Sequence, residues 1–420
     1  MCNASEPRVI KPLDGPLDGS THVPGDKSIS HRAILFSAMA EGTSRLLGVL
    51  DSSDVRASIG VEGWGAAGPK QPDGPIYCAN SGTTARLLMG LLAPWEVEVR
   101  IEGDESLSKR PMRRITAPLM KMGVEFDPAG AETLPITERG CKQLKAITYN
   151  SPMASAQLKT AVLLAGLYAD GTTTVTEPSP SRNHTELMLP EYGVETTAGE
   201  RTARVVGPAQ MHSAEIRVPG DPSSAAFIAC AAILLPGSAV QIENVSLNTA
   251  RTGFLITLER MGADVSTRRT GRAGKEPFGI ISACYTEGLH GCEIPGHKIA
   301  SLVDEVPVLS PVAPHARGLT VFRNVEELRA KESDRLDAIV TGLGQMGVDA
   351  WTEGDDLFIE GQPGLQVPEG LVLDSRGDHR LAMTWSLAGL TGKVPVAVTN
   401  YDCVDVSYPD FLKDMKGLVR

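Results

Sequence analysis

Lys27, Ser28 and Arg32 stand together in Val23–Arg32, VPGDKSISHR. A Pro-Gly turn feeds a helix start there, and five residues, about 500° of helical rotation, separate the two cations. Two cations and a hydroxyl at a helix N-terminus make an anion site, because free N–H groups and the positive dipole end point the same way. Alone, the stretch is equally a solvated helix start capped by Asp26 or Ser28. Its recurrence decides. Polar turns open five further small, apolar segments: NSGTTARLLMGLLAP, SPMASAQLKTAVLLAG, GDPSSAAFIACAAILLPG, LVDEVPVLSPVAPHARG and GDHRLAMTWSLAGLTG. In LRAKESDRL, Lys331 and Arg335 fall at i, i+4, one face of a single helix.

These residues need elements to carry them. The six segments are apolar almost throughout, so they predict buried helices whose first turns alone are polar. A second helix ending in Gly alternates with them, at Gly65, Gly123, Gly193, Gly262, Gly347 and, more weakly, Gly417. The spacings are 58, 70, 69, 85 and 70 residues, the mark of a repeat. Each Gly reads as a left-handed residue closing a helix before a strand such as VEF or ADV. The unit is thus two helices and several short strands, α/β, six times over, with helix N-termini converging on one cleft. VPGDKS and VPGDPSS, 195 residues apart, mark a higher duplication. It predicts two three-unit domains, 24–218 and 1–23 plus 219–420, with a hinge near Pro24 and Pro219. Two units depart from the pattern. Only 17 residues separate Gly65 from Gly82, against 31 to 42 elsewhere, so the first unit is short by one or two strands. Pro311 and Pro314 break the helix after Asp304.

The 420 residues are 42% hydrophobic and 22% charged, with a net charge of −11. That is an ordinary globular composition, and its acidity argues against a nucleic-acid partner. Seven scattered cysteines form no CxxC pair, so neither a zinc site nor a disulfide framework is indicated, and reduced thiols in the cytoplasm are the simple expectation. The N-terminus lacks the apolar core of a signal peptide. No apolar run reaches the roughly 18 residues of a membrane span.

PGDKSISHRA, NSGTTARLL, KRPM, PMASAQ, RNHTE, RAKESDR and GDHRLAM, in this order, resemble the EPSP synthase (3-phosphoshikimate 1-carboxyvinyltransferase) family over essentially the whole chain, in wording closer to its second class. The resemblance implies the enolpyruvyl transferase fold, an inside-out α/β barrel of two domains with three βαβαββ-type units each, the first shortened here. It implies a monomer without metal or cofactor that closes on shikimate 3-phosphate and phosphoenolpyruvate. The 5-hydroxyl of shikimate 3-phosphate would add to C2 of phosphoenolpyruvate while C3 is protonated; phosphate would then leave as C3 loses a proton. Such a site must hold two phosphates and two carboxylates, and must give and take protons.

Carried onto this sequence, the resemblance makes Lys27 a proton carrier and phosphoenolpyruvate contact, with Ser28 and Arg32 spanning both substrates. Asn80, Gly82 and Thr83 would face phosphoenolpyruvate, as would Arg110, while Arg86 reads as structural. Ala79 stands where Gly is usual. Ser155, Ala156, Gln157 and Arg182 would grip the shikimate phosphate, and His184 reads as helix-start packing. Asp304 and Glu332 would be the acid/base carboxylates. Glu327 and Lys331 would contact shikimate 3-phosphate, Arg335 and Arg380 would hold phosphoenolpyruvate, and His379 would order the site or be structural. Two rival readings stay open. The short first unit and the prolines after Asp304 suit a degenerate, non-catalytic relative. The sister transferase acting on UDP-N-acetylglucosamine carries Lys-Asn where Lys27-Ser28 stands and usually a Cys before Arg-Pro; GDESLSKRP has none.

Overall fold

A computed structural model describes residues 6–50 and 64–420. The chain divides into two compact lobes, each with its own hydrophobic core. One is Gly25–Val218 with Arg272–Glu276. The other is Pro219–Gly271 and Pro277–Arg420 with the N-terminal stretch to Pro24.

The 25–218 lobe carries helices α1 (Lys27–Met39), α2 (Gly82–Leu92), α3 (Arg113–Met122), α4 (Ala156–Gly166) and α5 (His184–Met188). The predicted buried helices are α1, α2 and α4. In α2, ten of eleven residues are buried. Small side chains make this possible: a Cβ on Gly90 would lie 2.2 Å from the Ala161 carbonyl oxygen of α4. The second lobe carries α6 (Pro222–Leu234), α7 (Gly253–Arg260), α8 (Val306–Leu309), α9 (Arg335–Gln345), α10 (His379–Thr391) and α11 (Phe411–Gly417). Here α6 and α10 are the buried bodies. As the prolines predict, the segment after Asp304 is broken into the four-residue α8 and a 3-10 turn, Ala313–His315.

The repeat shows in the sheets. Ile76–Tyr77, Glu98–Glu102, Glu125–Asp127 and Ile136–Arg139 form a sheet in which the first two strands are parallel and the fourth lies between the second and third. With α2 and α3 between its strands, this is βαβαββ. The same order recurs in Thr148–Asn150, Gly171–Thr176, Thr196–Ala198, Thr202–Gly207 and, in the second lobe, in two more four-stranded sheets. The sheet of the shortened first repeat has two strands among the described residues, Arg45–Leu47 parallel to Glu215–Arg217; the helix expected ahead of Gly65 lies outside the described residues. Gly65, Gly123, Gly193, Gly262 and Gly347 all have positive φ, whereas Gly417 ends α11 without one.

The caps fall into two kinds. Asp26, Asp221 and Asp378, each after a Gly, cap α1, α6 and α10 with a carboxylate. Ser81 and Ser155 cap α2 and α4 with a hydroxyl.

One core position contradicts its chemistry. Glu138 lies opposite Val99 and Phe126, with both carboxyl oxygens buried and without a hydrogen-bond partner among the described residues. Burial raises its pKa well above the usual carboxylate value. The native state therefore holds this proton to higher pH than the unfolded chain. The resulting destabilisation is absent below the unfolded pKa near 4.5 and grows as pH rises above it. Glu138→Leu is expected to raise stability at neutral pH by about 1–3 kcal/mol, with a smaller gain near pH 4.5; urea unfolding at the two pH values measures it.

Candidate functional site

In the 25–218 lobe the polar helix starts gather one cluster of side chains. Asp26 caps α1 by accepting from Ile29 N–H at 2.8 Å, which sets Lys27 and Ser28 at the first turn. Arg32, one turn further in, is 2% exposed. Its guanidinium donates to Thr185 Oγ1, Thr160 Oγ1 and the Ser28 carbonyl, each at 2.9 Å. It thus ties α1 to α4 and α5. Arg182 Nη1 donates to Ser28 Oγ at 3.3 Å. His31 beside them is buried; desolvation first, then Lys27 and Arg32, lower its pKa to about 3, so it is a neutral imidazole.

Before α2 the chain turns sharply, with Ala79 at φ +47°, a left-handed conformation that glycine takes without a Cβ penalty. Asn80 follows. Its amide donates to Asp104 at 2.7 Å, and its side-chain oxygen accepts from Arg110 Nη2. Arg110 also donates to Ser106 Oγ at 3.1 Å. Gly82 opens α2 where a Cβ would stand 2.9 Å from Arg86 Nη1. Arg86 donates to Gln157 Oε1 at 2.8 Å and to the Pro111 carbonyl, and Gln157 donates to Thr83 at 3.0 Å. Arg86 is therefore a bracket between α2, α4 and the turn after Arg110, in keeping with its structural reading. Ser155 caps α4, with Ala156 its first residue. His184, fully buried, has Nδ1 3.3 Å from Glu276 Oε2.

In the second lobe the cluster centres on Asp304, just before α8. Arg335 Nη1 donates to Asp304 Oδ1 at 3.1 Å, Lys331 Nζ lies 3.6 Å from the same oxygen, and Arg380 Nη1 donates to the Asp304 carbonyl at 3.1 Å. Arg335 also donates to Glu332 at 2.7 Å and makes two bonds to Asp378, at 2.7 and 3.2 Å. Burial works to lower its pKa, but Asp378, Glu332 and Asp304 outweigh this and raise it, so the guanidinium stays charged. Glu327 holds Lys331 Nζ at 2.5 Å. Behind Asp304, buried Glu305 accepts from Ser223, which with Asp221 accepts from Arg251. His379 opens α10 with Nδ1 4.0 Å from Asp378.

Asp304, Glu332, Lys331, Arg335 and Arg380 thus meet in one network, and Ser28, Arg32 and Arg182 in another, with Lys27 beside it at the first turn of α1. One expectation fails. Lys331 and Arg335 do not share a helix: a 3-10 turn, Glu326–Ala330, ends before Lys331, and Asp334 caps a new helix that begins at Arg335. They meet through Asp304 instead. The residue counts alone also miss Asp378 and Asp104, whose signal is local: each stands at a helix cap directly after Gly.

A family model described as EPSP synthase (3-phosphoshikimate 1-carboxyvinyltransferase) matches residues 13–415. A 3-phosphoshikimate 1-carboxyvinyltransferase of Bacillus pumilus is 40% identical over 423 residues, covering 96% of this chain and 98% of its own. One from Shouchella clausii is 41% identical over 431 residues, covering 98% and 99%. The solved structure of EPSP synthase from Acinetobacter baumannii matches with a TM-score of 0.86 at 38% identity and covers 98% of each chain. The enolpyruvyl transferase NikO from Streptomyces tendae, 18% identical over 99% of this chain and 98% of its own, shares the fold with a TM-score of 0.78.

Proposed function

The chain belongs to the EPSP synthase family, and we propose that it transfers the carboxyvinyl group of phosphoenolpyruvate to the 5-hydroxyl of shikimate 3-phosphate, releasing phosphate. The observation that carries this reading is the Asp304 network. Two carboxylates, Asp304 and Glu332, share one charged guanidinium and stand beside Lys331 and Arg380. Addition and elimination need a group that takes the hydroxyl proton and a group that gives a proton to C3 and takes it back. Asp304 serves the hydroxyl, with Lys27 and Glu332 handling the proton at C3. Arg335, Arg380, Arg110 and the turn of Asn80 to Thr83 hold phosphoenolpyruvate. Ser155, Gln157 and Arg182 hold the shikimate phosphate, a dianion suited to a serine-capped helix start and a guanidinium. Ser28, Arg32, Ala156, Glu327, Lys331 and His379 complete the binding set.

The degenerate-relative reading has less support, because binding alone does not require Lys27, Asp304 and Glu332 together. A monomer in the cytoplasm is part of the proposal. Among the described residues no helix is long and apolar enough to cross a membrane.

Phosphate release by the purified protein tests the function. Release is expected only when both substrates are present, and Lys27→Met is expected to lower it by about 10²–10⁴-fold. No release from the cooperatively folded wild type would overturn the transferase in favour of the degenerate relative.

A further inference from the structure

We propose that Glu177, acting with Lys159 and Glu186, is a positioning residue for the shikimate phosphate; the inference rests on the function proposed above. Lys159 lies on α4 one turn beyond Ser155. Its Nζ is 2.9 Å from Glu177 Oε2 and 2.8 Å from Glu186 Oε1, and the three side chains are 5, 2 and 5% exposed. Glu177 Oε1 accepts the backbone N–H of Ser155 at 2.8 Å, and Glu177 Oε2 accepts the Ser181 hydroxyl at 2.9 Å. One carboxylate therefore fixes both the residue that caps α4 and the residue immediately before Arg182. Through Lys159, Glu186 fixes the far side of the same loop, where α5 begins. The loop from 177 to 186, with Arg182 at its middle, is held to α4 at both ends.

Burying a cation between two carboxylates is a poor way to gain stability, since apolar residues of similar volume do as well or better. What this arrangement provides is direction. It sets the spacing between the Ser155 helix start and the Arg182 guanidinium, the two donors assigned to one phosphate. A bound group held about 1 Å out of place loses much of what the donors offer.

Glu177→Gln separates positioning from general support. The change leaves Lys159 paired with Glu186, a balanced buried pair, and keeps a single carbonyl oxygen where the carboxylate had two. Steady-state kinetics are expected to show KM for shikimate 3-phosphate raised about 10- to 100-fold, with KM for phosphoenolpyruvate within about threefold of wild type. An unchanged KM for shikimate 3-phosphate, or both KM values rising in step, would overturn the inference. Should Glu177→Gln not fold, Ser181→Ala removes one bond to the same carboxylate and leaves the triad's charges intact. It is judged by the same split, at an expected amplitude of about fivefold. A wild type that releases no phosphate removes the proposed function, and the inference with it. An active wild type with no split in the variants removes the inference alone.

Discussion

Asp304→Asn is expected to lower kcat by two to four orders of magnitude while the protein stays folded. The amide keeps the size of the carboxyl group and one oxygen that can accept from Arg335 Nη1, now at 3.1 Å. The Asp304 carbonyl that receives Arg380 is untouched. What disappears is the proposed capacity to take a proton from the hydroxyl. The surroundings set the scale of the loss. Asp304 is the point where Lys331, Arg335 and Arg380 converge, so its charge also holds three cations in register for a substrate carrying phosphate and carboxylate groups. The measurement is kcat for phosphate release at saturating concentrations of both substrates, with thermal unfolding as the control on folding. A variant retaining more than a tenth of wild-type kcat would remove Asp304 from the proton path.

Arg335→Met is expected to cost about 3–5 kcal/mol of stability in addition to activity, because it strands the buried carboxylate of Asp378 and leaves half-buried Asp304 and Glu332 without their shared cation. Asp378 is fully buried and receives two bonds from Arg335, and Asp304 and Glu332 receive one each. Methionine fills much of the space and supplies no charge. Adding Asp378→Asn to Arg335→Met should recover part of the lost stability, since the two residues are directly coupled. Denaturant unfolding of the two variants tests this. A loss below about 1 kcal/mol for Arg335→Met would mean that the network contributes little to the lobe's stability.

Much of the architecture was legible because the repeat is written in residues with narrow roles. A glycine at positive φ ends a helix, and a small apolar segment behind a polar turn packs on every side. The period of Gly123, Gly193, Gly262 and Gly347, together with the bodies of α2 and α4, was enough to predict a repeated unit of two helices and several short strands; the βαβαββ order came with the family resemblance. Helix boundaries inside charged stretches were not legible in the same way. LRAKESDRL has helical spacing from end to end, yet Asp334 starts its helix afresh and leaves Lys331 outside. Register hid Glu138, since only its pairing with Val99 and Phe126 fixes which face of the strand turns inward. The bond from Glu177 to Ser155 joins residues 22 positions apart. No local pattern records that pairing, because the packing of a strand end against a helix start creates it.

The two kinds of cap have a consequence for which ligands can compete at each helix end. At α1, α6 and α10 the aspartate is a built-in anion already seated on the first free N–H groups, so an arriving phosphate meets an occupied terminus. At α2 and α4 the serine hydroxyl satisfies one N–H and brings no charge, so the positive end of the dipole stays available. Both serine-capped ends belong to the 25–218 lobe; in the other lobe, Lys331, Arg335 and Arg380 supply attraction for anions. An inhibitor built on a compact dianion should draw its affinity from the serine-capped ends. One built on flat carboxylates should draw it from the guanidinium groups. The two kinds of compound should then respond to different substitutions.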